Sequence, residues 1–233
     1  VVNCVPTMFL AMLSKENFSP ARLKTLRIGV IAGAGYSVED FLYVQNTIGS
    51  HFTLMSSLGQ TECTAGLTVC NIDDPIEIKS TTVGHFMNHV EGKIADMNTG
   101  APLPAGETGE ICVRGYLTMQ RYYGDAAETA KTLDADGWVH TGDLGAMDAD
   151  GNITLKGRCK ELIIRGGENI SPLEIEQALA ANPAVALCKV IGVPDRHFGE
   201  EVCACIIRAP GAELDADAVR GWLRPRIAYF KIP

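Results

Sequence analysis

A basic excess, paired cysteines, long apolar runs and repeats are all missing from this sequence, and each absence removes a class of explanation. Lysine and arginine number 20 against 28 acidic residues, for a formal charge of −8. A general polyanion or nucleic-acid binder needs a basic stripe, which this balance does not supply. A local phosphate site survives the exclusion, because a helix end and a few cations suffice for one. No run is long or apolar enough to span a membrane. No signal-peptide pattern is visible at the start, no internal repeat recurs and no segment is of low complexity.

None of the eight cysteines (Cys4, Cys63, Cys70, Cys112, Cys159, Cys188, Cys203 and Cys205) forms a CxxC pair. Most sit in apolar runs such as Val202-Cys203-Ala204-Cys205-Ile206, so they read as buried free thiols. Free thiols suit a reducing intracellular compartment, the cytoplasm or a mitochondrial matrix. His85 and His89 have the spacing of a zinc pair on a helix, but Gly84 precedes them and no third ligand is near, so no metal is expected there.

What remains is ordinary globular material, 46% hydrophobic and 21% charged over 233 residues. That length allows one large domain or two modest ones. The opening VVNCVPTMFLAML resembles the middle of a domain, and the chain stops at FKIP without a closing element, so it reads as an internal segment of a longer protein.

Taken in order, Pro6 to Leu13 predicts a helix, Leu26 to Ala32 a buried strand, Val38 to Ile48 a helix and His51 to Ser57 a second strand. This β-loop-α-β order predicts a parallel-sheet unit over 1–81, with ligands beyond the carboxyl ends of its strands. The loops at 33–35 and 58–62 fall at such ends. In the second, Thr61 and Glu62 set a hydroxyl beside a carboxylate, a pair suited to a phosphate oxygen and a magnesium ion. From 82 to 159, short strands alternate with Gly/Pro turns, which predicts a small antiparallel barrel or distorted sheet with a short helix within 120–133.

Trp138 to Glu176 concentrates the remaining signals. Trp138–His140 predicts a strand entering a tight turn, Thr141-Gly142-Asp143, that presents one carboxylate. Asp148 to Gly151 has hairpin-turn chemistry, and Asn152 to Arg158 alternates as an outgoing strand. Gly157-Arg158-Cys159-Lys160 is a charged joint. Leu162 to Ile164 is a strand that Gly166-Gly167 ends. Ser171, Pro172 and Glu174 predict a capped helix over 172–181, with Ser171 as cap and Glu174 completing a capping box. Strands over 185–193 and 201–208 and a helix from about Asp215 to Leu223 complete an α+β unit over 160–233.

Together these stretches resemble the adenylate-forming superfamily of acyl-CoA synthetases, aryl-CoA ligases, luciferases and peptide-synthetase adenylation domains. LGQTE at 58–62 resembles its aromatic-Gly-x-Thr-Glu motif. GEICVRG at 109–115, followed by Tyr122-Tyr123-Gly124, resembles its barrel segment. GWVHTGDLG at 137–145 and GRCKELIIRGGENISPLEIE at 157–176 resemble its ribose-binding and hinge motifs. GGENISPLEIE is closer to CoA ligases than to the Gly-x-Arg-Ile-Glu pattern of peptide synthetases, and GEEVCACIIR with the terminal FKIP resembles medium-chain acyl-CoA synthetases.

The resemblance implies the C-terminal part of a large adenylate-forming domain, a parallel α/β unit plus a β-barrel, joined by a hinge to a small α+β domain. It implies an ATP-, Mg²⁺- and CoA-dependent ligase that forms acyl-AMP from a carboxylic acid and then acyl-CoA, and it leaves homodimer formation open. Thr61 would bond the α-phosphate and Glu62 would hold Mg²⁺. Gly33 and Ala34 would lie against adenine. Leu58, Gly59 and Gln60 would belong to the nucleotide site, and Gly59 would also border the acyl channel. Asp143 would accept from the ribose hydroxyls beside Arg158, Lys160 would be the hinge, and Gly166 and Gly167 would line the pantetheine tunnel.

Two departures qualify the carry-over. Leu58 stands where the family's stacking aromatic is expected. The family's phosphate loop and terminal lysine are expected upstream of Val1 and beyond Pro233, with Lys231 part of the preceding FKIP-type segment. The chain alone is therefore expected to be inactive. The alternatives are a non-catalytic nucleotide-binding fragment, an aryl-CoA ligase or a peptide-synthetase adenylation domain.

Overall fold

The computed structural model describes residues 1–233. It divides into two compact units, Val1–Leu155 and Lys156–Pro233.

The first unit opens with β1 (Val2–Cys4), α1 (Pro6–Leu13), β2 (Ile28–Ile31), α2 (Val38–Ile48), β3 (Thr53–Leu58), β4 (Thr68–Val69), α3 (Ile76–Thr81) and β5 (His85–Phe86). The five strands form one sheet in the order β1-β2-β3-β4-β5. The first three are parallel and the last two antiparallel. Pro6 starts α1, where its missing N–H costs nothing. Ser37 and Asp40 start α2 with a capping box, the Ser37 hydroxyl accepting from the Asp40 N–H at 3.0 Å. Phe41, Val44 and Ile48 fall on one face of α2 and are buried with Phe9, Leu13, Ile31, Phe52 and Leu54. β1, β4 and β5 are too short to leave a periodic signal. His85 lies in β5, and His89 follows it with φ +63, so the two histidines do not share a helix face.

A second sheet in this part of the chain contains β6 (Val90–Ala95), β7 (Thr108–Gly115), β8 (Val139–Met147) and β9 (Ile153–Arg158), with α4 (Ala126–Thr132) between β7 and β8. The order is β6-β7-β8-β9, and β6 does not pair with β9. The small barrel expected from the turn spacing is therefore an open four-stranded sheet. Four strands are too few to curl round on themselves, since closed barrels use more. One face buries Ile94, Ile111, Val113, Val139 and Ile153 with Cys63 and Leu67.

The second unit holds β10 (Ile163–Arg165), β11 (Glu168–Ile170), α5 (Pro172–Ala180), β12 (Val185–Asp195), β13 (Gly199–Arg208) and α6 (Ala216–Leu223). Its antiparallel sheet runs β11-β10-β13-β12. Ile175 and Leu179 of α5 and Val219 and Leu223 of α6 are buried against Ile163, Ile170, Val190 and Val202. Gly166 and Gly167, with φ +59 and +90, do more than end a strand. They form a two-residue hairpin that pairs Arg165 with Glu168.

Two expectations change here. Ser171 precedes α5 without capping it: its hydroxyl donates to the Lys156 carbonyl, and the Glu174 carboxylate accepts from Lys231 Nζ at 2.6 and 2.8 Å. Tertiary partners have taken both halves of the predicted capping box. Of the eight free thiols, Cys63, Cys70 and Cys112 are buried, Cys205 is exposed and four are intermediate. Cys205 lies on the β13 face that the helices leave uncovered, opposite Lys189.

Candidate functional site

β2 and β3 are parallel neighbours with Ile31 opposite Ser56, so their carboxyl ends share one edge of the sheet. Gly33 and Ala34 leave β2 exposed at that edge, and Gly33 holds φ +80. Leu58 ends β3 and Gly59 and Gln60 follow, leading into a 3-10 turn over Thr61–Cys63. A Cβ on Gly59 would stand 1.8 Å from the Ala65 carbonyl oxygen, so the fold-back of this loop requires glycine. The Gln60 carbonyl accepts from both Cys63 and Ala65 N–H groups at 3.0 Å.

Thr64 and Ala65 then adopt φ +53 and +64, two successive non-glycine residues in the left-handed region. Such backbone persists only where its surroundings determine it. Here the segment after β7 supplies the restraint. Thr64 Oγ1 donates to the Leu117 carbonyl at 2.7 Å, Met119 N–H donates to the Glu62 carbonyl at 2.7 Å, and the Tyr122 hydroxyl donates to Glu62 Oε1 at 2.7 Å. The result exposes Thr61, half-buries Glu62 and buries Cys63. Leu58, at the position of the absent aromatic, packs against the core of Cys63, Leu67, Ile111 and Val139.

The tight turn expected at Thr141-Gly142-Asp143 lies instead inside β8. Cys112 pairs with His140 and Glu110 with Leu144, so between these pairs one residue of β7, Ile111, faces three of β8. The surplus bulges out at Gly142, whose φ of +71 a side chain would resist, while the ladder resumes on either side. Thr141 Oγ1 donates to the Ile111 carbonyl at 2.7 Å and accepts from Asp143 N–H at 3.1 Å. The Glu110 carboxylate accepts from Gly142 N–H at 3.0 Å and meets His140 Nδ1 at 2.8 Å. Asp143, 8% exposed, is thus held on a bulge fixed from both sides.

Burial and neighbouring charge shift several groups around the loop and the bulge. Burial pushes the Cys63 thiol up, a hydrogen bond from Gln60 opposes this, and the Glu62 and Asp143 carboxylates raise it further. Donation to Glu62 and, secondarily, burial raise the Tyr122 hydroxyl above its ordinary range. Burial pushes the Tyr36 hydroxyl, next to the 33–35 loop, up to about 12. Glu62 offers the hard oxygens that Mg²⁺ prefers, and one bond from Tyr122 does not exhaust a carboxylate's acceptor sites, so the residue fits that ion. Glu110, Cys112 and His140 also bring three possible metal-ligand atoms within 4.8 Å, but His140 Nδ1 is already engaged by both neighbours.

The other candidate residues lie in the second unit. Arg158 ends β9 and is exposed, and Lys160 is exposed in the 3-10 turn over Cys159–Glu161. Gly166 N–H donates to the Phe198 carbonyl at 2.8 Å, and Gly167 is open around its Cα. Lys231 is committed to Glu174. No sequence motif assigns a role to Glu110, His140 or Tyr122. Tyr122 is 60 residues from its partner Glu62, and Glu110 is 32 from Gly142, so no local pattern marks these pairs.

The family model described as AMP-binding enzyme matches residues 1–123, and AMP-binding enzyme C-terminal domain matches 174–233. YngI of Bacillus subtilis is 40% identical over the whole chain, which spans 42% of that relative. The mitochondrial medium-chain acyl-CoA ligase ACSF2 of Macaca fascicularis is 38% identical over 98% of the chain and 37% of its own length. The chain thus spans about two fifths of these curated relatives. Among solved structures, ATP-bound MatB from Rhodopseudomonas palustris aligns with all of the chain and 46% of its own, with a TM-score of 0.91 and 31% identity. The o-succinylbenzoate CoA synthetase MenE of Bacillus subtilis, in complex with ATP and magnesium ion, aligns with a TM-score of 0.83 and 28% identity over all of this chain and 46% of its own.

Proposed function

We propose, from the premise that the chain belongs to the AMP-binding enzyme family, that the whole protein is an ATP-dependent acid–CoA ligase. The observation that carries this reading is the pair of built acidic sites, Glu62 on the loop after β3 held by Tyr122 and Asp143 on the bulge of β8 held through Thr141 and Gly142. A hydroxyl, a hard carboxylate and a second, rigidly held carboxylate suit the phosphate, the ion and the ribose of MgATP.

In the first half-reaction the acid's carboxylate oxygen attacks the α-phosphorus and pyrophosphate leaves, giving acyl-AMP. In the second, the CoA thiolate attacks the acyl carbon and AMP leaves. The exposed Thr61 hydroxyl would donate to an α-phosphate oxygen as its charge rises. Glu62, steadied by Tyr122, would hold Mg²⁺, which when bound offsets phosphate charge. Asp143 would accept from both ribose hydroxyls, because a carboxylate has sites for two donors. Arg158 would add a guanidinium fork at the ribose. Backbone at Gly33 and Ala34 would lie against adenine. Leu58, Gly59 and Gln60 would belong to the nucleotide site, and Gly59 would also border the acyl channel. Lys160 would be the pivot between half-reactions, and Gly166 and Gly167 would admit pantetheine.

An aliphatic, medium-chain acid is the substrate class, supported by the ACSF2 relatives. The eight free thiols support a reducing compartment. The test is acid-dependent ATP–pyrophosphate exchange by the full-length protein across aliphatic and aryl acids, followed by CoA-dependent AMP release. Exchange with no acid of either class refutes the ligase reading, and exchange with aryl acids alone refutes the aliphatic assignment.

A further inference from the structure

We infer that Glu110 is a positioning residue for nucleotide recognition, acting through the bulge that carries Asp143. The inference rests on the reading of Asp143 as the ribose acceptor. Three observations point to it. First, β8 has two surplus residues between the Glu110↔Leu144 and Cys112↔His140 pairs, and they leave Gly142 N–H outside the ladder. Second, that N–H donates at 3.0 Å to Glu110 Oε1, from the facing strand. Third, the other oxygen, Oε2, meets His140 Nδ1 at 2.8 Å on the entry side of the bulge. One carboxylate therefore clasps the entry of the loop at His140 and its apex at Gly142, the residue immediately before Asp143.

The environment makes the clasp effective. Glu110's side chain is 15% exposed, so solvent competes weakly for its bonds. His140 Nε2 faces Asp134 Oδ2 at 3.6 Å, which orients the ring from its far side. The Thr141 hydroxyl bridges the Ile111 carbonyl and Asp143 N–H, pinning the other face of the same loop. Gly142 itself has open space around its Cα, so no packing holds the bulge shut at that point. Its shape depends on these hydrogen bonds. Without Glu110, the loop keeps the Thr141 bridge but loses both anchors to the carboxylate, and Asp143 samples positions from which it cannot accept from two hydroxyls together.

Ribose discrimination in the full-length protein tests this. The ratio of kcat/KM for ATP to that for 3′-deoxy-ATP, in acid-dependent pyrophosphate exchange, reports the hydroxyl bonds and cancels general losses of activity. Glu110→Ala is expected to lower that ratio about tenfold, the value of a hydrogen bond to a charged acceptor, mainly through KM. Glu110→Gln keeps the length and one carbonyl acceptor for Gly142 N–H, and is expected to retain most of the ratio. Glu110→Asp keeps the charge but falls a methylene short, so it is expected to behave like alanine and replaces it should the alanine variant not fold. Asp143→Ala is the reference. If it removes the discrimination while Glu110→Ala and Glu110→Asp leave it intact, the positioning role is overturned. If Asp143→Ala itself leaves discrimination unchanged, the ribose reading fails and takes this inference with it.

Discussion

Asp143 is a carboxylate kept almost out of solvent on a strand, where an unassisted charge would be costly. Its backbone is fixed before any ligand arrives, the Asp143 N–H donating to Thr141 Oγ1 at 3.1 Å. Asp143→Ala should raise KM for ATP by about ten- to a hundredfold, the value of one or two charged hydrogen bonds, with a smaller change in kcat measured by pyrophosphate exchange. Tyr122→Phe removes the donor that orients Glu62. The Mg²⁺ concentration for half-maximal exchange should then rise about three- to tenfold, while ribose discrimination stays unchanged. A shift in discrimination instead would mean that Tyr122 acts on the bulge. Gly59 and Gly142 are both glycine for reasons that can be separated. Gly59→Ala drives a Cβ into the Ala65 carbonyl and should displace the Thr61-Glu62 loop. Gly142→Ala meets open space and faces only the left-handed φ, a strain of about 1–2 kcal/mol.

Helix starts illustrate how far an element's local signals reach. Ser37 and Asp40 form a true capping box at α2, and Asp215 accepts from Ala218 N–H at 2.8 Å at α6. Ser171 has the right residue type and position before α5, but its hydroxyl serves the Lys156 carbonyl. Amide exchange separates the two cases. Asp215→Ala should speed exchange of the Ala218 amide and weaken α6 by about 1 kcal/mol. Ser171→Ala should leave the first-turn amides of α5 unchanged; faster exchange there would restore the capping role. Long elements such as α2 and β13 were legible because their apolar period repeats several times. β4 and β5, at two residues each, carry no period at all. The bulge in β8 was legible as a break, Thr-Gly-Asp, but not as a bulge, because that depends on the facing strand.

Across the whole molecule, eight thiols and a set of surface carboxylates give two readouts of the folded state. Thiol labelling of the native protein should reach Cys205 first and spare Cys63, Cys70 and Cys112 until denaturant is added. Cys63 is doubly protected, by burial and by neighbouring negative charge that disfavours its thiolate. Backbone and side-chain donors hold Asp96, Asp148 and Asp195 below the ordinary carboxylate range, and Arg114 and Arg165 do the same for Glu91 and Glu201. A carboxyl depressed in the folded state contributes stability that is complete above its unfolded value and is lost as pH falls through its folded value. Melting temperature should therefore be insensitive to these groups near neutrality and fall below about pH 4. A decline already complete by pH 5 would assign the acid sensitivity to other groups.

The residue order alone determined the principal helices and strands and the ordered motifs that identify the family. These are properties of periodicity and of residue types at fixed spacing, which survive without knowing what faces what. The clasp of Glu110 on Gly142, the bond from Tyr122 to Glu62, the diversion of Ser171 and Glu174 and the open edge of the second sheet were decided only by the tertiary structure. Each depends on strand register or on groups 15 to 60 residues apart. A hydrogen bond needs about 3 Å between two particular atoms, and a linear pattern fixes which atoms exist but not which of them meet.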